Sequence, residues 1–301
     1  MLKMANKSEH WFSMIGLVFG CVLFGMGSLI VAHVENLGGF AMAFWRLLVS
    51  APIFLLLSFI FKQSFPKNRH ALKFAILAGA VLGLDLALWH ESIYAVGPGI
   101  STLLNSLQIF FLAFIGFWWF KEHQTNIQIL GLILASVGVA LIASPEFKHN
   151  QSALWGFIWG ILSGLCLAVS MAFIRRAHEM ASIPLFPMMG VIGISGATAL
   201  LPIMLIVDSG KIIPVDVYDI FWIVIYGTLM QCVAWGLIAY SIPKIALTLT
   251  GLLLLSEPVA ALLIDYFWLA KPINLMQWWG VFLVMLAIYL GSYKPKNKII
   301  L

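Results

Sequence analysis

The chain has 301 residues, of which 62% are hydrophobic and 10% are charged, and its mean hydropathy is +1.02. A soluble domain of that composition lacks the polar surface it needs to stay monomeric in water, so the composition predicts a protein whose solvent is lipid. The net charge of +5 comes from basic residues that stand singly, without the basic helix face of a nucleic-acid-binding protein. Three cysteines, Cys21, Cys166 and Cys232, lie in apolar stretches without the spacing of a metal site and predict ordinary buried thiols.

Ten continuous apolar stretches follow one another along the chain, each close to the roughly 20 residues that a transmembrane helix needs. Barrel strands are shorter and alternate in polarity, so these stretches predict an all-α integral membrane protein. The first stretch is too long for the hydrophobic region of a signal peptide, and we expect it to be retained. The predicted helices lie near residues 12–33, 39–61, 71–95, 98–120, 125–144, 153–174, 184–207, 217–241, 244–268 and 275–293.

The basic residues predict the orientation of these helices. With the N-terminus in the cytoplasm, thirteen basic residues lie inside and only Lys148, Lys211 and Lys271 lie outside, as the positive-inside rule requires. Ten crossings return the chain to its starting side, so we expect a multi-pass protein of the inner (cytoplasmic) membrane with both termini cytoplasmic. The cytoplasmic set is Lys3, Lys7, Lys62, Lys67, Arg69, Lys73, Lys121, Arg175, Arg176, Lys244, Lys294, Lys296 and Lys298.

The chain also resembles itself when it is displaced by about half its length. At 149 residues Gln128 meets Gln277, Gly131 meets Gly280 and Trp119 meets Trp268, and at 140 residues Gly16–Gly20 meets Gly156–Gly160. We interpret residues 1–145 and 152–294 as two five-helix repeats. Because five is odd, the second repeat enters the membrane from the opposite face, and such inverted repeats are typical of secondary transporters. The GxxxG spacing in both first helices indicates close helix packing, within the chain or in a homodimer.

Several segments resemble the EamA-type branch of the drug/metabolite transporter superfamily. Residues 40–48, which include Arg46, are similar to the second helix of that family, and residues 85–90 to the third. Residues 101–138 resemble the fourth and fifth helices, and residues 252–290 are their second copy, with Glu257 followed by Pro258. The resemblance implies a bundle with a central cavity that moves small metabolites, such as amino acids, nucleobases or their derivatives, often outward. The first copy has Gln108 and Ile109 where the second has Glu257 and Pro258 and a proline is common, so we expect no break in the fourth helix.

Four ionisable residues, Arg46, Asp85, Glu91 and Glu257, lie within the apolar stretches. An uncompensated charge at the centre of a bilayer costs about 2.5–3.5 kcal/mol, so each needs a partner, water or a proton. We expect Asp85 and Glu257 near the membrane centre, and Arg46 and Glu91 nearer the outer face. An ion pair between Arg46 and Glu91 is the structural interpretation. In the functional alternative, Arg46 captures a substrate carboxylate.

Two pairs with the same spacing predict a cavity lining. Asp85 and Trp89 are four residues apart, as are Gln231 and Trp235 in the second half, so each pair shares a helix face. These side chains either stack a planar substrate or pack between helices. His90 next to Glu91 suggests a proton-linked pair, although neighbours point about 100° apart. The predicted substrate-binding residues are Arg46, Asp85, Trp89, His90, Glu91, Asn105, Gln108, Gln231, Trp235 and Glu257.

Glu257 precedes a proline in mid-helix, which predicts a hinge or a protonatable site. We therefore predict a secondary transporter without a cofactor or metal that works by alternating access as proton antiporter, exchanger or facilitator, and as monomer or homodimer. A membrane scaffold or helper protein is the alternative, because fold alone does not settle function. An intramembrane enzyme is a weaker alternative, since no protease-like or Walker motif occurs in the sequence.

Overall fold

The computed structural model describes residues 7–31, 34, 36–143, 154–267 and 273–292. Within these ranges all regular structure is helical. Part of the orientation and repeat predictions rests on residues outside the described ranges: Lys3, Lys148, Trp268, Lys271, Lys294, Lys296 and Lys298. The helices are α1 (Lys7–Phe24), α2 (Gly27–Val31), α3 (Gly39–Ile60), α4 (Arg69–Val96), α5 (Pro98–Ser106), α6 (Gln108–Trp118), α7 (Asn126–Ala143), α8 (Leu154–Met180), α9 (Leu185–Val207), α10 (Val217–Ile225), α11 (Trp235–Ser241), α12 (Leu247–Leu254), α13 (Ser256–Phe267) and α14 (Leu275–Ser292).

The all-α membrane fold is confirmed. Five helical segments are long and apolar enough to cross a bilayer: Gly39–Ile60, Arg69–Val96, Leu154–Met180, Leu185–Val207 and Val217–Lys244. Shorter apolar segments, at His10–Phe24, Leu104–Trp118, Asn126–Ile142, Leu247–Ala260 and Leu275–Gly291, lie where the other five spans were predicted. The connections follow from local chemistry. Asn68, for example, caps α4 by accepting from the N–H groups of His70 and Ala71, and Gly97 ends it in a left-handed turn with φ of 82°.

Three predicted helices are interrupted. The fourth breaks at Leu107, between α5 and α6, so the expectation of a continuous fourth helix was wrong. Leu107 donates to the carbonyl of Leu104 in a tight turn, and Leu255 donates to Leu252 in the same way between α12 and α13. The break therefore does not need a proline, and the two repeats share it. In the ninth helix the break lies just before Glu257, which is therefore in the first turn of α13 rather than in mid-helix. The first helix is interrupted between α1 and α2.

The two halves interleave rather than lie side by side. Helix α4 of the first half packs along α8 of the second, and α1 packs against α11, which is the corresponding contact with the halves exchanged. Helix α3 packs on α9, and α7 on α14. This arrangement is the one an inverted repeat produces.

The predicted GxxxG glycines pack within the chain. A Cβ on Gly20 would come within 2.7 Å of the carbonyl oxygen of Ala234, and one on Gly160 within 2.7 Å of the Leu104 side chain. Gly156 similarly faces Ala95 and Val96 at the end of α4. Gly20, Gly156 and Gly160 thus allow the first helix of each repeat to approach a helix of the other repeat closely, whereas a Cβ on Gly16 would lie at an ordinary 3.9 Å from Leu237.

Candidate functional site

A central cavity lies where the two halves meet. It holds about 430 Å³ of empty space, including the part that opens outward. Much of this space lies between side chains, so a metabolite needs the surrounding helices to separate. Both repeats contribute to its wall, as expected of a transporter whose halves move around a midplane site. The lining residues are Phe24, Arg46, Leu82, Asp85, Leu86, Trp89, Asn105, Leu167, Trp235, Ile238, Leu254 and Glu257.

Arg46 reaches this cavity from α3 and is 1% exposed. Its Nε donates to Oε1 of Gln231 over 2.8 Å, and its Nη1 donates to the hydroxyl of Tyr226 over 2.8 Å. The guanidinium also lies over two aromatic rings, 4.9 Å from that of Phe24 and 4.6 Å from that of Tyr226. None of the described residues accepts a hydrogen bond from Nη2, which is buried. The arginine is therefore held by neutral groups and keeps the two N–H donors of Nη2 free.

The predicted ion pair between Arg46 and Glu91 does not form. Glu91 instead accepts a hydrogen bond from the backbone N–H of Gly39 over 3.0 Å, at the start of α3. Within the described ranges, the ion pairs join Arg175 to Glu122 and Glu179, and Arg176 to Glu179. The reason is geometric, because Glu91 lies in the last turns of α4, level with the first residue of α3, whereas Arg46 lies two turns further along α3.

Tyr226 is a site residue that the sequence reasoning missed. Its hydroxyl lies 2.9 Å from Nε2 of His90, and Nδ1 of His90 lies 3.1 Å from the carbonyl oxygen of Gly39. Since Arg46 can only donate, the tyrosine hydroxyl accepts from Arg46 and donates to Nε2. The network thus assigns a neutral His90 with its proton on Nδ1, which donates to Gly39.

A π-helical segment, Tyr226–Ala234, explains why Tyr226 escaped detection. In an α-helix of 3.6 residues per turn, residues five apart point about 140° away from each other. A π-helix bonds residue i to residue i+5, so it stacks Tyr226 nearly over Gln231. Both side chains consequently reach Arg46. A short π-helical insertion leaves no distinctive hydrophobic period that a sequence reading could use.

Asp85 anchors a second polar group on the cavity wall and is 3% exposed. Its Oδ1 accepts from the hydroxyl of Ser163 over 2.7 Å and from the amide of Asn105 over 3.3 Å. Asn105 also donates to Ser163 over 2.6 Å. Asn105 follows from the resemblance, whereas Ser163 was not predicted. Its position on α8, seven residues after the GxxxG glycine Gly156, is the only sequence signal for it.

The remaining predicted residues divide between the cavity and its surroundings. Trp89 and Trp235 line the cavity, as does Glu257, and no described residue hydrogen-bonds the carboxylate of Glu257. Trp235 packs edge-on against Phe24 with ring centroids 6.3 Å apart, and its buried Nε1 has no acceptor in the described part of the chain. Gln231 lies behind the wall and holds Arg46. Gln108 is buried away from the cavity lining, and His90 and Glu91 lie beyond it towards Gly39.

The two ends of the bundle are closed by different contacts. At the end we call the Gly39 end, Glu91 accepts from Gly39, and Asp208 at the end of α9 accepts from Ala41 over 2.6 Å. At the opposite end, which we call the Glu122 end, Glu122 pairs with Arg175 on α8 and accepts from the N–H of Leu247 over 3.1 Å. The contacts of Asp208 and of Glu122 join the first repeat to the second, whereas Glu91 and Gly39 both belong to the first.

The family model for the EamA-like transporter family matches residues 11–144 and again residues 154–293. The chain belongs to the EamA-like transporter family. The match in both halves agrees with the internal repeat, and the protein is therefore a multi-pass membrane transporter.

Relatives of this EamA-like transporter carry names of the same kind. A protein of Synechocystis named an uncharacterized transporter is 26% identical over 86% of this chain and 83% of its own length. A chloroplastic WAT1-related protein of Arabidopsis thaliana is 23% identical over 69% of this chain and 51% of its own. An uncharacterized transporter of Bacillus subtilis is 23% identical over 88% of this chain and 81% of its own. One crystal structure has the same fold, with a TM-score of 0.74 at 12% identity over 95% of this chain and 98% of its own.

The cavity of this EamA-like transporter is lined by charged groups of both signs. Arg46 and the indole N–H of Trp235 provide hydrogen-bond donors, whereas Asp85 and Glu257 provide carboxylate acceptors. With all three charged groups ionised, one positive and two negative charges leave a formal charge of −1. Such a charge in a low-dielectric cavity favours a cation or a proton as the missing partner.

Proposed function

We propose that this protein is a secondary transporter of zwitterionic small metabolites of the amino-acid type, working by alternating access in the inner (cytoplasmic) membrane. The observation that carries the proposal is the buried guanidinium of Arg46, whose Nη2 has no acceptor in the described structure and which shares one cavity with Asp85 and Glu257. A substrate carboxylate satisfies Nη2 and the Trp235 indole N–H, and a substrate ammonium pairs with the two carboxylates.

Complementary charged groups narrow the range of substrates. Among amino acids, nucleobases and their derivatives, an amino acid brings both a carboxylate and an ammonium group, so it meets the donors and acceptors at once. A neutral nucleobase brings neither charged group and leaves Arg46 and the two carboxylates without charged partners. The rings of Trp89, Trp235 and Phe24 add an aromatic wall for an apolar side chain.

The two carboxylates also support exchange with protons. In the empty cavity a proton on Asp85 or Glu257 neutralises the excess negative charge, and the arriving ammonium group pairs with the carboxylate that held the proton. Substrate and proton then compete for the same carboxylates, which is the basis of proton antiport. Transport against an imposed pH gradient tests this part of the proposal separately from substrate choice.

The experiment is counterflow in proteoliposomes with labelled amino acids, nucleobases, and analogues that lack either the carboxylate or the ammonium group. We expect saturable uptake of one or more amino acids. Removal of either charged group should raise the half-saturation concentration by about 10- to 100-fold, the range for a hydrogen bond to a charged group. Arg46→Gln should abolish the preference for a carboxylate, whereas Arg176→Gln, which alters an exposed arginine on α8, should leave uptake unchanged. Saturable uptake of a neutral nucleobase with no amino-acid uptake would refute the zwitterion assignment.

A further inference from the structure

The substrate arginine is connected to the Gly39 end of the bundle by an unbroken hydrogen-bonded chain. Arg46 donates to Tyr226 over 2.8 Å, Tyr226 donates to His90 over 2.9 Å, and His90 donates to the carbonyl of Gly39 over 3.1 Å. Tyr226 and His90 are fully buried. In such surroundings each bond polarises the next, so the chain acts as a unit.

The hydrogen-bonded chain ends at Gly39, the residue whose contacts with α4 close the Gly39 end of the bundle. Gly39 is held twice by consecutive residues of α4, since its carbonyl accepts from His90 and its N–H donates to Glu91. A Cβ at this position would lie 2.5 Å from Oε1 of Glu91 and 3.0 Å from its backbone nitrogen. The closure thus depends on the missing side chain of Gly39, because any other residue would push the start of α3 away from α4.

The donor-to-acceptor direction of these hydrogen bonds is fixed by the protons available. Tyr226 has one proton, and the cationic Arg46 can only donate to it, so that proton goes to His90. Removal of Arg46 takes away the charged donor that polarises the tyrosine hydroxyl, and the hydroxyl becomes a weaker donor to His90. Conversely, a ligand on the free Nη2 of Arg46 leaves Nε and Nη1 in place and keeps the chain intact.

We propose that Tyr226 and His90 are positioning residues that hold Arg46 with Nη2 free and couple the state of Arg46 to the docking of Gly39 on α4. Departure of Arg46 from this position loosens the Gly39 end, and a ligand that keeps Arg46 in place stabilises its closure. The inference rests on the proposed function for its role in transport, but the coupling exists without a ligand and is measured without one.

The test measures accessibility of the Gly39 end in the full-length protein. Leu37, which is 2% exposed, is replaced by cysteine in a background in which Cys21, Cys166 and Cys232 are alanine. The rate of labelling by a membrane-impermeant maleimide reports how often this end opens. Tyr226→Phe removes the hydroxyl that joins Arg46 to His90. We expect it to raise this rate by about 2- to 10-fold, which corresponds to the loss of the uncharged bond to His90, the one of the two that leads to Gly39. Tyr240→Phe is the matched control, because Tyr240 lies on α11 with its ring under Lys244, outside the chain.

A double-mutant cycle separates coupling from general loosening. His90→Asn keeps a side-chain N–H where Nδ1 donates to Gly39 but does not reach Tyr226. Arg46→Gln should therefore speed labelling in the parent and have no further effect in His90→Asn. If Arg46→Gln speeds labelling equally in the parent and in His90→Asn, the proposal is wrong. Gly39→Ala is the positive control and should label faster than the parent. If it does so while Tyr226→Phe labels at the parent rate, the proposal is also wrong. Helical circular dichroism confirms that each variant is folded, and His90→Asn carries the cycle if Tyr226→Phe fails to fold.

The outcome is independent of the transport assay. Non-additive effects in the cycle without amino-acid uptake would support the coupling between Arg46 and Gly39 and refute the substrate assignment. Additive effects with saturable amino-acid uptake would refute the coupling and support the substrate assignment.

Discussion

The ion pair between Arg175 and Glu122 should be the strongest single electrostatic contribution to closure of the Glu122 end. The two side chains are 2% and 14% exposed, and the guanidinium lies 4.5 Å from the ring of Phe120. Glu122 also accepts from the N–H of Leu247, so it joins α8 to the start of α12. Breaking a buried pair from one side costs about 3–5 kcal/mol, because the remaining charge stays buried.

We expect Glu122→Gln to lower the free energy of unfolding by about 2–3 kcal/mol. The amide keeps the shape and a carbonyl acceptor but loses the charge, so the loss falls near that of a hydrogen bond to a charged group. Glu179 lies 3.9 Å from the same arginine but is 33% exposed, which makes it a matched control. Glu179→Gln should cost less than about 1 kcal/mol, as exposed pairs do.

Detergent-induced unfolding followed by far-UV circular dichroism measures both variants. Arg175→Met with Glu122→Gln completes a double-mutant cycle, in which the second substitution should cost little once the first has removed the charge. Equal losses for Glu122→Gln and Glu179→Gln, or strict additivity in the cycle, would refute the argument that burial makes this pair strong.

Three further predictions concern the cavity and the ends. Trp235→Phe keeps the aromatic packing on Phe24 but removes the N–H, so it should raise the half-saturation of a zwitterionic substrate about 2- to 10-fold without affecting an analogue that lacks the carboxylate. Burial raises the pKa of Asp208 at the Gly39 end, against lowering contributions from the backbone N–H groups of Ala41 and Phe40 and from Lys211. Because an open, hydrated state restores the ordinary pKa, protonation favours the closed state. Labelling at position 37, divided by that of an exposed reference cysteine to remove the pH dependence of the thiolate fraction, should slow as the pH falls from the raised towards the ordinary value. Asp208→Asn should weaken this dependence. With the predicted orientation, Lys211→Cys should react with an impermeant maleimide from outside and Lys121→Cys only after permeabilisation; the opposite pattern would reverse the topology.

Much of the fold was predictable because lipid constrains sequence strongly. Continuous apolar stretches located the spans, and the internal displacement located the repeat, since a spanning helix must satisfy its own backbone and bury few charges. The break at Leu107 was not predictable, because it is a tight turn among apolar residues and carries no proline. At its counterpart, Leu255, a proline contributes, because Pro258 cannot donate to the carbonyl of Leu254, where α12 ends. The break at Leu107 shows that the proline is not required.

The candidate site was predicted in part. Charges within the apolar stretches and the recurring four-residue spacing from a polar residue to a tryptophan pointed to Arg46, Asp85, Trp89 and Trp235, and all four line one cavity. That they bind substrate stays a prediction. The partner of Arg46 was predicted wrongly, because the sequence places Arg46 and Glu91 only roughly in depth, whereas Glu91 packs level with Gly39, two turns before Arg46 on α3.

The sequence by itself determined the solvent of this protein, the approximate positions of its spans, its repeat and its family, because each of these follows from composition, period or motif along one dimension. Only the tertiary structure decided the contacts across helices. Tyr226 and Gln231 meet Arg46 because a π-helical segment changes the angle between residues five apart. His90 and Glu91 hold Gly39 because the start of α3 carries no side chain at that point. Both sets of contacts depend on how the helices are rotated and how closely they approach, and the hydropathy of a chain reveals neither quantity.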